Sequence, residues 1–164
     1  MIPVILLDEL ARFLKEANKE YYLSDEKVKD KELIAVAGFL KRRENAKEMF
    51  FPHIVPRLIK GDDTENGSNV TVRIYFGTYC EDVNDGWREL FNLMEHSRQA
   101  LLKQRTIANR FRLELPIHYE MYEDQPYPEW FGFMDVKYTI AQPQEEILYK
   151  HSIYGDVWKK ELKK

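Results

Sequence analysis

Cysteine is nearly absent from this 164-residue chain. Cys80 stands alone, so no intramolecular disulfide can form. Long apolar runs are missing too: none reaches the roughly 18 residues that a membrane-spanning helix needs. The start, MIPVILLDELARFL, has no basic leader region and meets Asp8 and Glu9 early, unlike a signal peptide. The chain is therefore expected to be intracellular, with no membrane partner. Asn69-Val70-Thr71 spells a glycosylation acceptor, which without a secretory signal reads as chance. A basic excess is also lacking. The net charge of -3 argues against nucleic-acid binding by bulk charge. There is no glycine-rich phosphate loop, no G-x-S-x-G and no H-E-x-x-H, so nothing calls for a cofactor.

What is present is an ordinary globular composition, 44% apolar and 32% charged, in a chain long enough for one core. Ten Tyr, nine Phe and three Trp are many for this length. Aromatics of that abundance fill cores and also anchor interfaces, which hints at self-association.

Val4, Leu7, Leu10, Ala11, Leu14, Ala17 and Tyr21 recur at helical spacing, so residues 4–22 predict an amphipathic helix. A charged connector, 24–32, leads to LIAVAGFL (Leu33 to Leu40), which reads as a buried strand. FPHIVPRLIK follows as a strand interrupted by Pro52 and Pro56, which places it at an edge or on a bulge. Val70, Val72, Ile74 and Phe76 then alternate with Thr71, Arg73 and Tyr75 in a clear strand. A long helix is expected over 83–105, capped by Asn84 or Asp85, with Trp87, Leu90, Phe91, Met94, Leu101 and Leu102 as its apolar stripe. Two more strands follow. Phe111, Leu113, Leu115, Ile117 and Tyr119 share a face of one, and EWFGFMDVKYTI forms the other after the turn EDQPYPE. The order α-β-β-β-α-β-β predicts an α+β fold, a single mostly antiparallel sheet of about five strands with helices on one face. Residues 1–148 read as one domain. The segment 149–164 carries five lysines against two acids and reads as a basic tail.

Several stretches invite a chemical reading. Asp62 to Gly67 opens like a calcium loop, with Thr64 and Asn66 at the third and fifth positions. The twelfth position, where a bidentate glutamate is required, is Arg73. A polar hairpin loop over 61–69, turned by Asn66-Gly67, accounts for the stretch without a metal. Cys80 with one of the four histidines (His53, His96, His118, His151) could form a nucleophile and base, but no local signature supports it. The histidines show no metal-ligand pairing. The acidic pairs Glu81-Asp82, Glu123-Asp124 and Glu145-Glu146 fall at turns and helix starts, where solvation or the helix dipole explains them. Lys41-Arg42-Arg43 borders Glu44 and reads as a solvated turn. No catalytic, metal or cofactor residue is expected.

The middle of the chain carries a resemblance. FPHIVPRLIKGDDTENGSNVTVRIYFGTY, then NDGWRELFNLMEHSRQALLKQRTI, then FRLELPIHYEMYEDQPYPEWFGFMDVKYTIAQPQEEI, together roughly residues 50 to 147, resemble tail terminator, or tail-completion, proteins of long-tailed bacteriophages and prophages. The likeness is an extended pattern without a catalytic motif. It implies a small non-enzymatic α+β subunit, assembled in the host cytoplasm into a hexameric ring. That ring would end tube growth at the head-proximal end of the virion tail and dock the head. The partners so implied are further copies of the chain, the tail tube and head-completion proteins. His53 and Pro56 depart from the pattern, and residues 1–32 and 148–164 carry none of it.

A ring-former needs two different patches, since head-to-tail contacts close a ring. The expected interface residues are Asp62, Asp63 and Glu65 on the acidic hairpin, Tyr127, Trp130 and Phe131 beside the QPYP turn, and Lys159 and Lys160 on the tail. Core capping by the three aromatics remains an equal alternative. Three other readings stay open: a head–tail connector or neck adaptor, a Cys80 enzyme, and an intracellular α+β ligand-binding domain.

Overall fold

Alternation builds the centre of the molecule. In the computed structural model, which describes residues 2–147, Val70, Val72, Ile74 and Phe76 are all buried on one face of a strand running Gly67–Tyr79. In chain order the elements are α1 (Ile2–Ala17), β1 (Ile34–Ala35), β2 (His53–Thr64), β3 (Gly67–Tyr79), α2 (Val83–Lys103), β4 (Thr106–Ile107), β5 (Phe111–Met121) and β6 (Glu129–Ile140). The fold is α+β. Its one sheet has six strands in the order β1-β2-β3-β6-β5-β4, one more than expected, and only the β1–β2 pairing is parallel.

Both helices lie on the face that carries Val72, Ile74, Met134 and Val136. α2 covers β3 and β6, while α1 reaches from β1 and β2 at one end of the strand order to β4 at the other. The main core lies between: Leu6, Leu10 and Leu14 of α1 and Leu90, Leu93 and Met94 of α2 meet Ile54, Val72, Ile74, Phe76, Phe111, Leu113 and Tyr138. Each such side chain contributes about 1.5 to 3 kcal/mol by leaving water. A smaller apolar cluster, Leu23, Val28, Phe51 and Tyr79 with Phe131 against it, covers one end of the opposite face.

Several expected details change. α1 ends at Ala17 and Val4 is exposed, because Leu6 rather than Val4 shares the face of Leu10 and Leu14. Tyr21 lies past the helix, where its hydroxyl donates to the Glu89 carbonyl at 2.6 Å. LIAVAGFL supplies only the two-residue β1, half-buried, although Val36 and Gly38 still donate to the carbonyls of Ile54 and Pro56. The cap of α2 is Asp82, whose carboxylate accepts from the Asp85 amide at 3.0 Å, not Asn84 or Asp85.

The largest correction concerns the α2 stripe. Trp87 is 40% exposed and Phe91 38%, and the buried residues are Gly86, Leu90, Leu93, Met94, Ser97 and Leu101. α2 comes close enough to the sheet that small residues must face it. A Cβ on Gly86 would collide with the Trp130 indole, and Ser97 Oγ accepts from Asn18 Nδ2 at 3.1 Å. Asn18 is buried between the helices. It also donates to the Leu14 carbonyl at 2.8 Å, and its own amide oxygen accepts from His96 Nδ1 at 2.7 Å.

Candidate assembly surface

β2 and β3 form a long hairpin. The expected 61–69 loop is almost all strand: Asp62 pairs with Asn69, Asp63 with Ser68 and Thr64 with Gly67, which leaves Glu65 and Asn66 as the turn. Gly67 takes φ +135°, a conformation that disfavours any side chain. Polar side chains tie this end together. Ser68 Oγ donates to Asp63, Thr64 Oγ1 donates to the Gly67 carbonyl at 3.1 Å, and Gln142 Nε2 donates to the Thr64 carbonyl at 2.9 Å. Asp62, Asp63 and Glu65 are all exposed there. They give one end of the sheet a negative rim.

β2 is an edge for half its length. β1 and the segment after it cover residues 53–56, but from Leu58 to Thr64 every residue is exposed, including Leu58 at 40% and Ile59 at 48%. The ladder to β3 slips between Leu58 and Lys60, so Ile59 is an extra residue in a bulge. The prolines thus occupy the kind of strand expected of them.

β5 is the matching edge on the far side. β4 covers only Arg112 and Phe111. Beyond Leu113 the strand carries its own slip, between Glu114 and His118, with Pro116 inside it. That slip breaks the expected alternation: Leu115 is 56% and Tyr119 41% exposed, while Phe111 and Leu113 stay buried. A groove of about 220 Å³ opens at the slip, lined by Leu115, Pro116, Val136, Thr71, Glu114 and Lys137 among others.

The helix-free face holds a row of cations on aromatic rings. The Arg57 guanidinium lies 3.9 Å from the Phe39 ring centre and 4.5 Å from that of Tyr75, and Arg57 Nε donates to the Gly38 carbonyl at 2.8 Å. Arg73 sits 4.1 Å above Phe133 and makes a two-pronged pair with Asp135, at 2.8 and 2.9 Å. The hydrogen bond to Asp135 raises the Arg73 pKa further. His118 is on this face too, near the Phe133 ring and with Asp135 opposite it in the ladder.

The three turn aromatics part company. Trp130 is buried, and its Nε1 donates to the Cys80 carbonyl at 3.0 Å, so it belongs to the core and cannot serve as an exposed anchor. Phe131 is half-buried against Phe51 and His53. Tyr127 alone stays 55% exposed, edge-on to Trp130, with its hydroxyl donating to the Glu81 carbonyl. The turn before them is clamped by Gln125, which donates to the Tyr122 and Phe131 carbonyls and accepts from the Phe131 amide at 2.6 Å. Lys159 and Lys160 lie outside the described residues.

Cys80 is buried, and burial pushes its thiol pKa up, the wrong direction for a nucleophile. His53 is buried as well. Its Nδ1 donates to the Phe50 carbonyl at 2.7 Å, and burial holds its pKa below the ordinary histidine value. Among the described residues no group of three or more His, Cys, Asp or Glu is placed to hold a metal ion. The hollow beside α1, between residues 16–21 and His96, is open to solvent.

The prolines of FPHIVPRLIK announced the β2 edge; the β5 edge was missed, although Pro116 inside FRLELPIHY was the corresponding signal.

No protein-family model matches the chain, and no curated protein matches it. Among solved structures the chain is similar to a chain of the virion of a native gene transfer agent (GTA) particle. The identity is 12% and the TM-score 0.39, over 66% of this chain and 79% of the other. A likeness that loose carries no argument about function. No described helix is long and apolar enough to cross a membrane.

Proposed function

We propose that this protein is a structural component of a phage or prophage virion, a tail terminator. Copies of it form a ring at the head-proximal end of the tail tube, stop tube growth and offer the head a docking surface. The observation that carries this reading is the presence of two unlike exposed sheet edges on one subunit, β2 beyond Arg57 and β5 beyond Leu113. Unlike patches joined head-to-tail close into rings, whereas a twofold dimer uses the same patch twice. The resemblance over residues 50–147 supports the reading, because it covers β2 through β6. The acidic rim of Asp62, Asp63 and Glu65 supplies a charged end for docking, and Tyr127 an exposed aromatic. No step of this role asks for bond chemistry, and the raised Cys80 pKa suits an inert thiol.

Adding the purified protein to tail tubes growing in vitro should cap them at one end, and gold-labelled protein should appear at the head-proximal end in electron micrographs. Tubes that grow to unrestricted length in its presence would remove the terminator role. A label found at the head vertex of tailless heads would mark a neck adaptor instead.

A further inference from the structure

The bare half of β2 has a chemical counterpart in its own chain. From Leu58 to Asp63 the outer side of the strand has no ladder partner among the described residues. Leu58 and Ile59 are exposed there, and Asp62, Asp63 and Glu65 follow them with negative charge. Edges left in water are ordinarily blunted by charge and by bulges. Lys60 and the slip at Ile59 blunt this one only in part, because two large apolar side chains stay on it.

The described chain ends beside that edge. β6 finishes at Ile140, opposite Ser68 at the hairpin end, and Gln142 Nε2 then donates to the Thr64 carbonyl at 2.9 Å. Residues 148–164 continue from there and lie outside the described residues. Fully extended they would reach roughly 55 Å, against about 20 Å for the bare stretch of β2. Their sequence complements the edge. Val157-Trp158 followed by Lys159-Lys160 is an apolar pair with basic charge after it, where β2 has Leu58-Ile59 with acidic charge after it.

The edge of the same copy is the poorer match. The stretch that would run back along it begins with Pro143, which has no N–H to donate, and continues with Glu145 and Glu146, which repel Asp62 and Asp63. Residues 143–147 are indeed exposed and join no ladder. The lysine pairs at 159–160 and 163–164 come at the far end of the segment, where its reach exceeds the length of the edge.

We infer that the segment 148–164 of one copy docks on the bare β2 edge of a second copy. Val157 and Trp158 lie against Leu58 and Ile59, and the lysines after them meet Asp62, Asp63 and Glu65. Exposed ion pairs contribute little each, so the apolar contact supplies most of the affinity and the charges supply orientation and choice of partner. Segment and edge are unlike patches, which makes the contact head-to-tail. The inference rests on the ring reading for closure, and on the edge and the segment alone for the contact.

Charge exchange in the full-length chain tests it. Sedimentation velocity across concentration at low salt should show self-association lowered at least tenfold by Asp62→Lys with Asp63→Lys, and likewise by Lys159→Glu with Lys160→Glu. The chain carrying all four substitutions gains four charges and loses four, so its net charge stays at -3, and its association should return to within threefold of wild type. The differences should narrow in high salt. Association indifferent to the reversals, a four-substituted chain no better than either pair, or a wild-type chain that stays monomeric at every concentration would each overturn the contact. Full-length Ile59→Cys and Trp158→Cys proteins, mixed in equal amounts and oxidised, should give a mixed disulfide dimer at least tenfold above either homodimer, the native Cys80 being buried. A chain with both cysteines that closes on itself as a monomer would overturn docking between copies. Multimers that fail to cap tubes would sink the tail role and leave the contact standing. Tubes capped by wild-type protein whose association ignores the reversals would do the reverse.

Discussion

The two central strands and the two edge strands obey different rules. β3 and β6 pair with each other along their whole length, from Ser68 with Ile140 to Tyr79 with Glu129, and only Thr139 of the two is exposed. β2 begins fully buried and β5 begins with Phe111 and Leu113 buried, and both then run out into solvent, each with a slip in its ladder. A strand with a partner on both sides and helices on one face has its side chains sorted by burial. A strand that loses its outer partner is freed from that sorting, so polar and apolar residues mix along it. The centre therefore encodes the fold, and the edges are where the chain can encode contacts with something else.

The sharpest way to break the comparison is to empty the centre. Leu90→Ala or Phe76→Ala, at positions 0% exposed, should cost about 3 to 5 kcal/mol in denaturant unfolding. Trp87→Ala, on the solvent side of the same helix, should cost less than about 1 kcal/mol. Equal losses at positions 87 and 90 would mean that α2 is rotated from the arrangement described.

Gly86→Ala should cost about 1 to 3 kcal/mol, because the added methyl meets the Trp130 indole where α2 begins. Pairing it with Trp130→Phe, which removes part of the ring, should recover some of that loss in the same unfolding measurement.

His53 tests the small apolar cluster on the helix-free face. Its folded pKa is lowered by burial, while the Phe50 carbonyl bond and Glu129 oppose that shift. The unfolded chain therefore takes up the proton first as pH falls. Stability is at its full value above about pH 6.5, the ordinary histidine value, and declines as pH drops through and below it. In the His53→Gln chain the same pH series should lose that component of the slope.

The smallest effect belongs to the basic segment. Truncation after Gln144 keeps the Gln142 bond to Thr64 and removes the lysines of 149–164. It should leave the thermal midpoint unchanged and weaken ring formation or tube capping, with an effect that shrinks in high salt. Exposed ion pairs contribute only about 0 to 1 kcal/mol each. Truncated protein that caps tubes normally at low salt would exclude the segment from assembly.

What could be read from the amino acids follows the same division. The alternation of β3, the antiparallel α+β arrangement and the long second helix were all visible, because in each a strong period reflects burial on one side. The α2 stripe misleads at Trp87 and Phe91, since hydrophobic size is no guarantee of burial. Close packing against Trp130 and Asn18 puts Gly86 and Ser97 inside instead. β1 and β4 are two residues each and exist only through the neighbours they pair with. The acidic hairpin looked like a loop because Asp62 and Asp63 have poor strand propensity, yet the ladder to Asn69 and Ser68 holds them extended. Of the expected interface residues, Asp62, Asp63, Glu65 and Tyr127 lie on the surface, and Trp130 does not.

The slip in β2 can also be understood as arithmetic on chain length. Ile59 is the surplus residue, since Leu58 faces Val72 and Lys60 already faces Thr71. Deleting it would not move the acidic end out of phase, as a deletion elsewhere in the strand would; it would bring the two halves of β2 back into one count. The shortened chain should keep its hairpin, turn and rim and lose only the bulge. One codon thus separates a regular edge from a bulged one.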